Sequence, residues 1–354
     1  MSPVAGTALR GTLDNVARVP APNAIAFDRT YLRAATPVIL TGLFDTPAAH
    51  ELTDPRCARS RLADMPVRVT PNTWGDLLLG QAHLPVRHTT FGPFVDELAA
   101  GTSPYDYCVE YPTPDELAGR LPLPAYLRLG DRTDTWESYM FLAGPGNSTH
   151  LHYDVDLRHL LMYQVFGHKR YVVIDQSESR KLAPGSRPDV RRTSALFLEH
   201  FSGSDLLGFL RYTNAWDCVL GPGDALLIPA TCWHYVEYLD TALSVNFRFG
   251  RNRYTRTLAE VLPESSVEMQ ALAGLFRDED AVGPDEQAAF DALVAAEDRW
   301  YPSSEARLAA LDALCVELCA RLGLPVAGAP YHVADIERRR RLSAKARPPA
   351  ALRR

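Results

Sequence analysis

The sequence predicts a mainly β fold with helical additions, in which a sandwich or barrel of short strands is followed by a helical region. Two observations carry this. Residues 135–250 consist of short apolar stretches such as HLLMYQVF, KRYVVID, GDALLIPA and ALSVNFRF, separated by Gly, Pro, Asn and Asp, the pattern of short strands joined by turns. After Tyr254 the period becomes helical, notably in DEQAAFDALVAAEDRWY and SSEARLAALDALCVELCARLG. At 354 residues the chain suits one large domain with additions or two smaller ones. It divides into N-terminal mixed α/β additions to the core (1–134), the strand-rich core (135–250), a C-terminal helical region (251–337) and a basic tail (338–354).

In chain order, TPVILTGL (36–43) is a β-rich apolar run and PVRVTPN (66–72) a second short strand. TTFGPFVDELAAG (89–101) sets Phe91, Phe94, Val95 and Leu98 at helical spacing and stops at Gly101. YDYCVEYP (105–112) alternates as a strand does. Beyond the core, the last helix opens on a Ser303 or Ser304 cap and lines up Leu308, Leu311, Leu314, Cys315 and Leu318 on one face before Gly323. That stripe either completes the core or forms a seam between two copies. From Arg338 to Arg354 there are eight Lys or Arg and no acid, which leaves 29 bases against 43 acids before them. Such a run reads as a solvated tail.

A net charge of -6 gives no general attraction to nucleic acid or to anionic membranes. The six cysteines form no C-x-x-C pair, the N-terminal stretch lacks the apolar core of a signal peptide, and no apolar run approaches the roughly 20 residues that span a bilayer. These features predict a reduced cytoplasmic protein.

The chemistry concentrates in THLHYD (149–154). Side chains of a regular strand alternate, so His150, His152 and Asp154 would share one side. Pairing His150 with His152 suits a germin-type metal site, but that class needs a glutamate shortly afterwards and YDVDLRHLLM has none. Pairing His152 with Asp154 has the stronger context. His-x-Asp with a distant His is the facial triad of non-haem Fe(II) oxygenases, two imidazoles and a hard carboxylate on one side of the metal. His234, closing GPGDALLIPATCWH, is the distant candidate. It lies 80 residues beyond Asp154, so strands far apart in sequence must converge, as they do in a double-stranded β-helix or jelly roll.

The segments NSTHLHYD, YQVFGHKRY, GDALLIPATCWH and SVNF, in this order, resemble the JmjC and cupin-8 group of Fe(II)/2-oxoglutarate oxygenases. Within that group they resemble the asparaginyl hydroxylase that inhibits the hypoxia-inducible factor. TPVILTGL is similar to the family's N-terminal strand, so the likeness covers about residues 20–250. The resemblance implies a jelly-roll (cupin) core with His152, Asp154 and His234 as iron ligands, and Lys169 pairing with the distal carboxylate of the cosubstrate 2-oxoglutarate. It also implies that Thr149 touches that carboxylate, that Tyr107 lines the same site from an earlier strand, and that Asn246 lies near the iron end. Elementary physics agrees on Lys169. It alternates with Arg170 along HKRYVVI, so one of the two cations turns inward, and a buried ammonium is costly unless an anion meets it.

Two departures stand out. The asparagine that the family places soon after the carboxylate ligand is replaced by Arg158 or His159, so the proximal carboxylate of the cosubstrate would be held differently. VDLRHLLMYQVF also reads as a longer loop than usual. Arg248 stands where the relative has an aromatic residue. It shares a strand face with Asn246 and would meet a cosubstrate or substrate anion, unless it pairs structurally with an acid. The implied activity is hydroxylation of a C–H bond by O2 in an amino acid, carrier-bound or peptide substrate, with release of succinate and CO2. An N-demethylase, a germin-type dioxygenase or isomerase, and a non-catalytic ligand-binding cupin are the rivals. The C-terminal helices match that enzyme's dimerisation region in position, which would make the protein a homodimer.

Overall fold

The computed structural model describes residues 11–72, 85–130, 134–185, 191–262 and 266–324. Its strands are β1 (Arg18–Pro20), β2 (Val38–Thr41), β3 (Pro66–Pro71), β4 (Arg87–Thr90), β5 (Asp106–Pro112), β6 (Glu137–Ala143) and β7 (Ser148–His152). They continue with β8 (His159–Phe166), β9 (Lys169–Ile174), β10 (Trp216–Leu220), β11 (Ala225–Ile228), β12 (Trp233–Tyr238) and β13 (Ala242–Phe249). A nine-stranded sheet runs β1-β2-β11-β8-β13-β6-β5-β3-β4 and a four-stranded sheet runs β10-β9-β12-β7. From β6 to β13 the chain passes back and forth between the two sheets, which is the jelly roll the sequence predicts.

The central strands are covered on both faces, and this explains why they read as near-continuous apolar runs. On β8, Leu160 and Met162 face the opposite sheet, while Leu161, Tyr163 and Val165 face a core shared with the helix Phe91–Ala100. On β9 and β12, Val172, Ile174, Trp233 and Tyr235 pack outward under the helix Gly203–Tyr212. The N-terminal additions are part of the same architecture. β2 pairs with β11 and β5 pairs with β6, so they extend the large sheet at both edges.

Lys169 and Arg170 are both buried, on opposite faces of β9. Arg170 turns outward onto Asp217, with Nε 2.8 Å from Oδ1 and Nη2 3.0 Å from Oδ2, a fork geometry that satisfies both charges. Lys169 turns between the sheets. Gly167 (φ +70) makes the backbone turn between β8 and β9 possible, since a Cβ there would lie 2.3 Å from the carbonyl oxygen of Thr241.

The helices Arg253–Val261, Val267–Leu275, Pro284–Glu297 and Ser304–Arg321 share a further core with Leu258, Leu272, Phe276 and Leu293. The apolar stripe of the last helix completes it. Leu311, Cys315 and Leu318 are buried there, and Leu308 and Leu314 pack against the same cluster. Ser303 caps the helix by accepting from the Ala306 N–H at 3.2 Å. The basic tail lies outside the described residues, and no described helix is long and apolar enough to cross a membrane. Because the stripe is internal, Leu311→Ala should destabilise the fold by about 2–5 kcal/mol. Urea unfolding at several protein concentrations checks this: the loss should be independent of concentration, whereas a seam between copies would make it concentration-dependent.

Candidate metal centre

His152, Asp154 and His234 come together at one end of the space between the sheets, with one potential donor atom from each lying within 4.8 Å of the others. His152 and His234 are cross-strand partners on β7 and β12, their ring centroids 4.3 Å apart. His152 Nε2 is 3.6 Å from Asp154 Oδ1. The imidazoles are oriented by their own backbone. Nδ1 of His152 donates to the His150 carbonyl at 2.7 Å, and Nδ1 of His234 donates to the Cys232 carbonyl at 3.3 Å. A carbonyl only accepts, so the proton sits on Nδ1 and the Nε2 lone pair is left for a metal. Trp233, next to His234, anchors the strand from its outer face, with Nε1 donating to Ser179 Oγ at 2.8 Å and its ring edge-on to Tyr153.

Protonation states suit a cation. Burial opposes charge on Asp154, but the Arg248 guanidinium, the His152 hydrogen bond and the two imidazoles outweigh it and hold the carboxyl well below the usual range. Burial, and His152 beside it, push His234 down to about 4. Near neutral pH both are in the form that binds metal.

His150 does not belong to this set. Regular alternation would turn it the same way as His152, but β7 carries one extra residue against β12, where His234 faces His152 and Val236 faces Thr149. That bulge brings Thr149 and His152 to the same pocket and turns His150 away. His150 is buried against Phe197, ring centroids 4.7 Å apart, with Nε2 donating to the Ser194 carbonyl at 2.6 Å. The structure therefore does not bring His150 into the metal-capable group with His152, as the germin-type pairing needs.

The same pocket is lined by Lys169, whose side chain comes from β9, together with Thr149, Tyr171, Tyr238 and Ser244. Its ammonium donates to Ser244 Oγ at 2.6 Å and to the Phe141 carbonyl at 3.3 Å, and lies 4.0 Å from the centre of the Tyr238 ring. Among the described residues no carboxylate pairs with it, and burial pushes its pKa well down. Asn246 lines the same pocket, buried, with Oδ1 lacking a hydrogen-bond partner. A buried cation without an anion, next to an orphaned acceptor and three convergent ligands, fits a dicarboxylate bound beside a metal ion.

The Cupin-like domain family matches residues 24–253. This chain belongs to that family. Lysine-specific demethylase 8 of Danio rerio is 27% identical over 248 residues, 66% of this chain and 57% of that protein. Lysine-specific demethylase 8 of Xenopus tropicalis is 32% identical over 135 residues, 37% of this chain and 29% of that protein. The Jumonji C domain-containing protein 5 of Drosophila melanogaster is 25% identical over 148 residues, 39% of this chain and 36% of that protein. The chain thus spans only part of the length of each of these relatives. The match to the Cupin-like domain supports the JmjC and cupin-8 likeness read from the sequence.

Other residues of the Cupin-like domain are placed differently from the sequence reading. Tyr107 is not on the pocket wall; it is buried in a small cluster with Tyr238 and Ala143, and burial pushes its hydroxyl up to about 12. An extra residue in β5, between Cys108 and Tyr111, brings Val109 and Glu110 to the pocket instead. Arg158 and His159 also lie off the wall. Arg158 clamps Glu137 at 2.9 Å and Asp134 at 3.3 Å, while His159 Nδ1 accepts from the Ala230 N–H at 3.2 Å. The stretch read as a long loop is the short turn 155–158 followed by β8. Arg248 does face the pocket, but it meets acids of this chain, Glu110 at 2.6 Å and Asp154 at 3.6 Å. Sequence reasoning missed Ser244, Tyr171, Tyr238 and Arg192. The first shares strand parity with Asn246 and could have been found; Arg192 arrives through a pairing of its neighbour Thr193 with His152 that no local pattern signals.

Two outcomes follow. His152→Ala, Asp154→Ala and His234→Ala should each abolish Mn(II) binding in calorimetry, whereas His150→Ala should keep it and lose only stability. Burial and the nearby Arg277 push His159 down to about 3, so its neutral form favours the fold. That contribution is complete above its ordinary pKa of 6.5 and is lost as pH falls from there toward 3. In His159→Gln, which keeps an acceptor but cannot titrate, urea-measured stability should decline less steeply between pH 6.5 and 4.

Proposed function

We propose that this protein is an Fe(II)- and 2-oxoglutarate-dependent hydroxylase acting on a C–H bond of an amino acid, a carrier-bound amino acid or a peptide. The observation that carries the reading is the combination, in one pocket, of the His152–Asp154–His234 triad with Lys169, a buried ammonium that has no carboxylate partner among the described residues. With iron bound, such a centre couples oxidative decarboxylation of 2-oxoglutarate by O2, to succinate and CO2, to insertion of the other oxygen atom into the substrate C–H bond.

The residues of this chain supply binding and orientation. His152, Asp154 and His234 would hold the metal from one side. Lys169 and Thr149 would take the distal carboxylate of 2-oxoglutarate, with Ser244 keeping the ammonium aimed and Asn246 offering a polar contact toward the triad. Tyr171, Tyr238 and Phe141 wall the deep end and exclude water, which strengthens the Lys169 contact. The open side, near Glu110, Arg192 and Arg248, admits the substrate.

A second reading, N-demethylation of a methylated lysine, is favoured by the names of the zebrafish and frog relatives. It uses the same residues and differs in releasing formaldehyde. The deciding experiment loads Fe(II) anaerobically, then screens amino acids and peptides for substrate-stimulated succinate, with formaldehyde measured in parallel. Succinate with a substrate 16 mass units heavier supports hydroxylation, and stoichiometric formaldehyde supports demethylation. Lys169→Met, close in shape but uncharged, should raise the 2-oxoglutarate requirement by about 10- to 100-fold, or about 1.4–3 kcal/mol, while Mn(II) still binds. An unchanged requirement would remove Lys169 from the assignment.

A further inference from the structure

Arg248 reaches the pocket mouth with its charge already engaged. Nη2 lies 2.6 Å from Glu110 Oε1 and 3.6 Å from Asp154 Oδ2, and Nη1 lies 3.7 Å from Asp156 Oδ2. The guanidinium also lies over the Tyr139 ring, 4.9 Å from its centre. An incoming anion would have to displace these acids. The two oxygens of Asp154 are therefore divided: Oδ1 is 3.6 Å from His152 Nε2, and Oδ2 is the one turned toward Arg248.

We propose that Arg248 is a positioning residue that confines Asp154 to a single donor oxygen for a divalent cation, holding Oδ2 away from the metal. The inference rests on reading the triad as a metal site. A carboxylate can give a metal one oxygen or both. A second oxygen on the metal would occupy a position that exchangeable ligands need. A guanidinium suits the task because its planar fork contacts several carboxylates in fixed directions, whereas an ammonium supplies charge without direction.

The surrounding backbone is arranged to keep Arg248 there. Glu110 adopts φ +48 within the β5 bulge. A left-handed conformation is uncommon for a non-glycine residue and costs on the order of 1 kcal/mol. Its effect is to bring the Glu110 carboxylate onto Arg248 from β5, a strand that does not pair with β13. Tyr139, on β6, supports the guanidinium from the ring side.

Mn(II) alone, added to the full-length protein, tests this. Free Mn(II) is counted by electron paramagnetic resonance, and water-proton relaxation reports exchangeable waters on the bound ion. Arg248→Gln should bind Mn(II) as tightly as the parent or several-fold more tightly, since a repelling cation is gone. Its relaxation enhancement per bound ion should fall, because the freed Oδ2 replaces a water. Arg248→Lys should lie between the two. A folded Arg248→Gln variant that binds Mn(II) with the parent's relaxation enhancement overturns the proposal. If Arg248→Gln does not fold, Glu110→Ala, at a half-exposed side chain, loosens the guanidinium without removing it and should lower the enhancement partway. The parental value there would equally overturn it. Failure of the parent to bind Mn(II) would sink the metal-centre reading itself, whereas parental binding with no effect at Arg248 sinks only this inference.

Discussion

The constraint on which the rest depends is that β8, β9, β12 and β13 are buried on both faces. A strand in that position has no solvent side on which to leave a polar group. Every inward polar side chain must therefore find its partner inside the barrel. On β10 and β11 the inward positions are apolar, with Cys218, Leu226 and Ile228 closing that side of the space. On β9, β12 and β13 they include Lys169, His234, Ser244, Asn246 and Arg248. The pocket follows from this division, since the residues that line it cannot pack as hydrocarbon and have no water-facing alternative.

Charge within the pocket is arranged in two zones. Around Asp154, the cation Arg248 is met by three carboxylates of this chain, Glu110, Asp154 and Asp156, so its charge is already engaged. Around Lys169 there is a hydroxyl, a carbonyl and aromatic faces, but no compensating acid among the described residues. Removing Ser244 or Tyr238 would change how the ammonium is aimed without changing this imbalance. Burial alone disfavours the charged form of Lys169, and an anionic ligand would restore it. Arg170, one residue along, shows the alternative solution, a buried cation satisfied entirely by the protein through Asp217.

Irregularity does as much as regularity in shaping the site. The extra residue in β7 brings Thr149 and His152 to the pocket together, and the extra residue in β5 brings Val109 and Glu110. In a sheet whose faces are this different, one inserted residue exchanges a core side chain for a site side chain. Each bulge is held by long-range pairing, with His234 opposite His152 and Tyr111 opposite Met140, so its effect on the pocket is as rigid as the sheet itself.

By itself the sequence determined the mainly β class and the helical region after Tyr254, and it singled out His152, Asp154 and His234, which the structure groups together. These rest on local signals: period 2 in the strands, period 3.6 in the helices, and motifs whose order along the chain is informative. The jelly roll and the choice of Lys169 over Arg170 as the inward cation came with the family resemblance. The tertiary structure alone decided that His150 faces Phe197, that Tyr238 and not Tyr107 walls the pocket, that Arg158 and His159 serve the scaffold, and that Arg248 meets Asp154 and Glu110. The reason is the same throughout. Which face a residue occupies depends on register, and register here is set by bulges and by partners tens to more than a hundred residues away, such as Glu110 for Arg248, which no local pattern encodes.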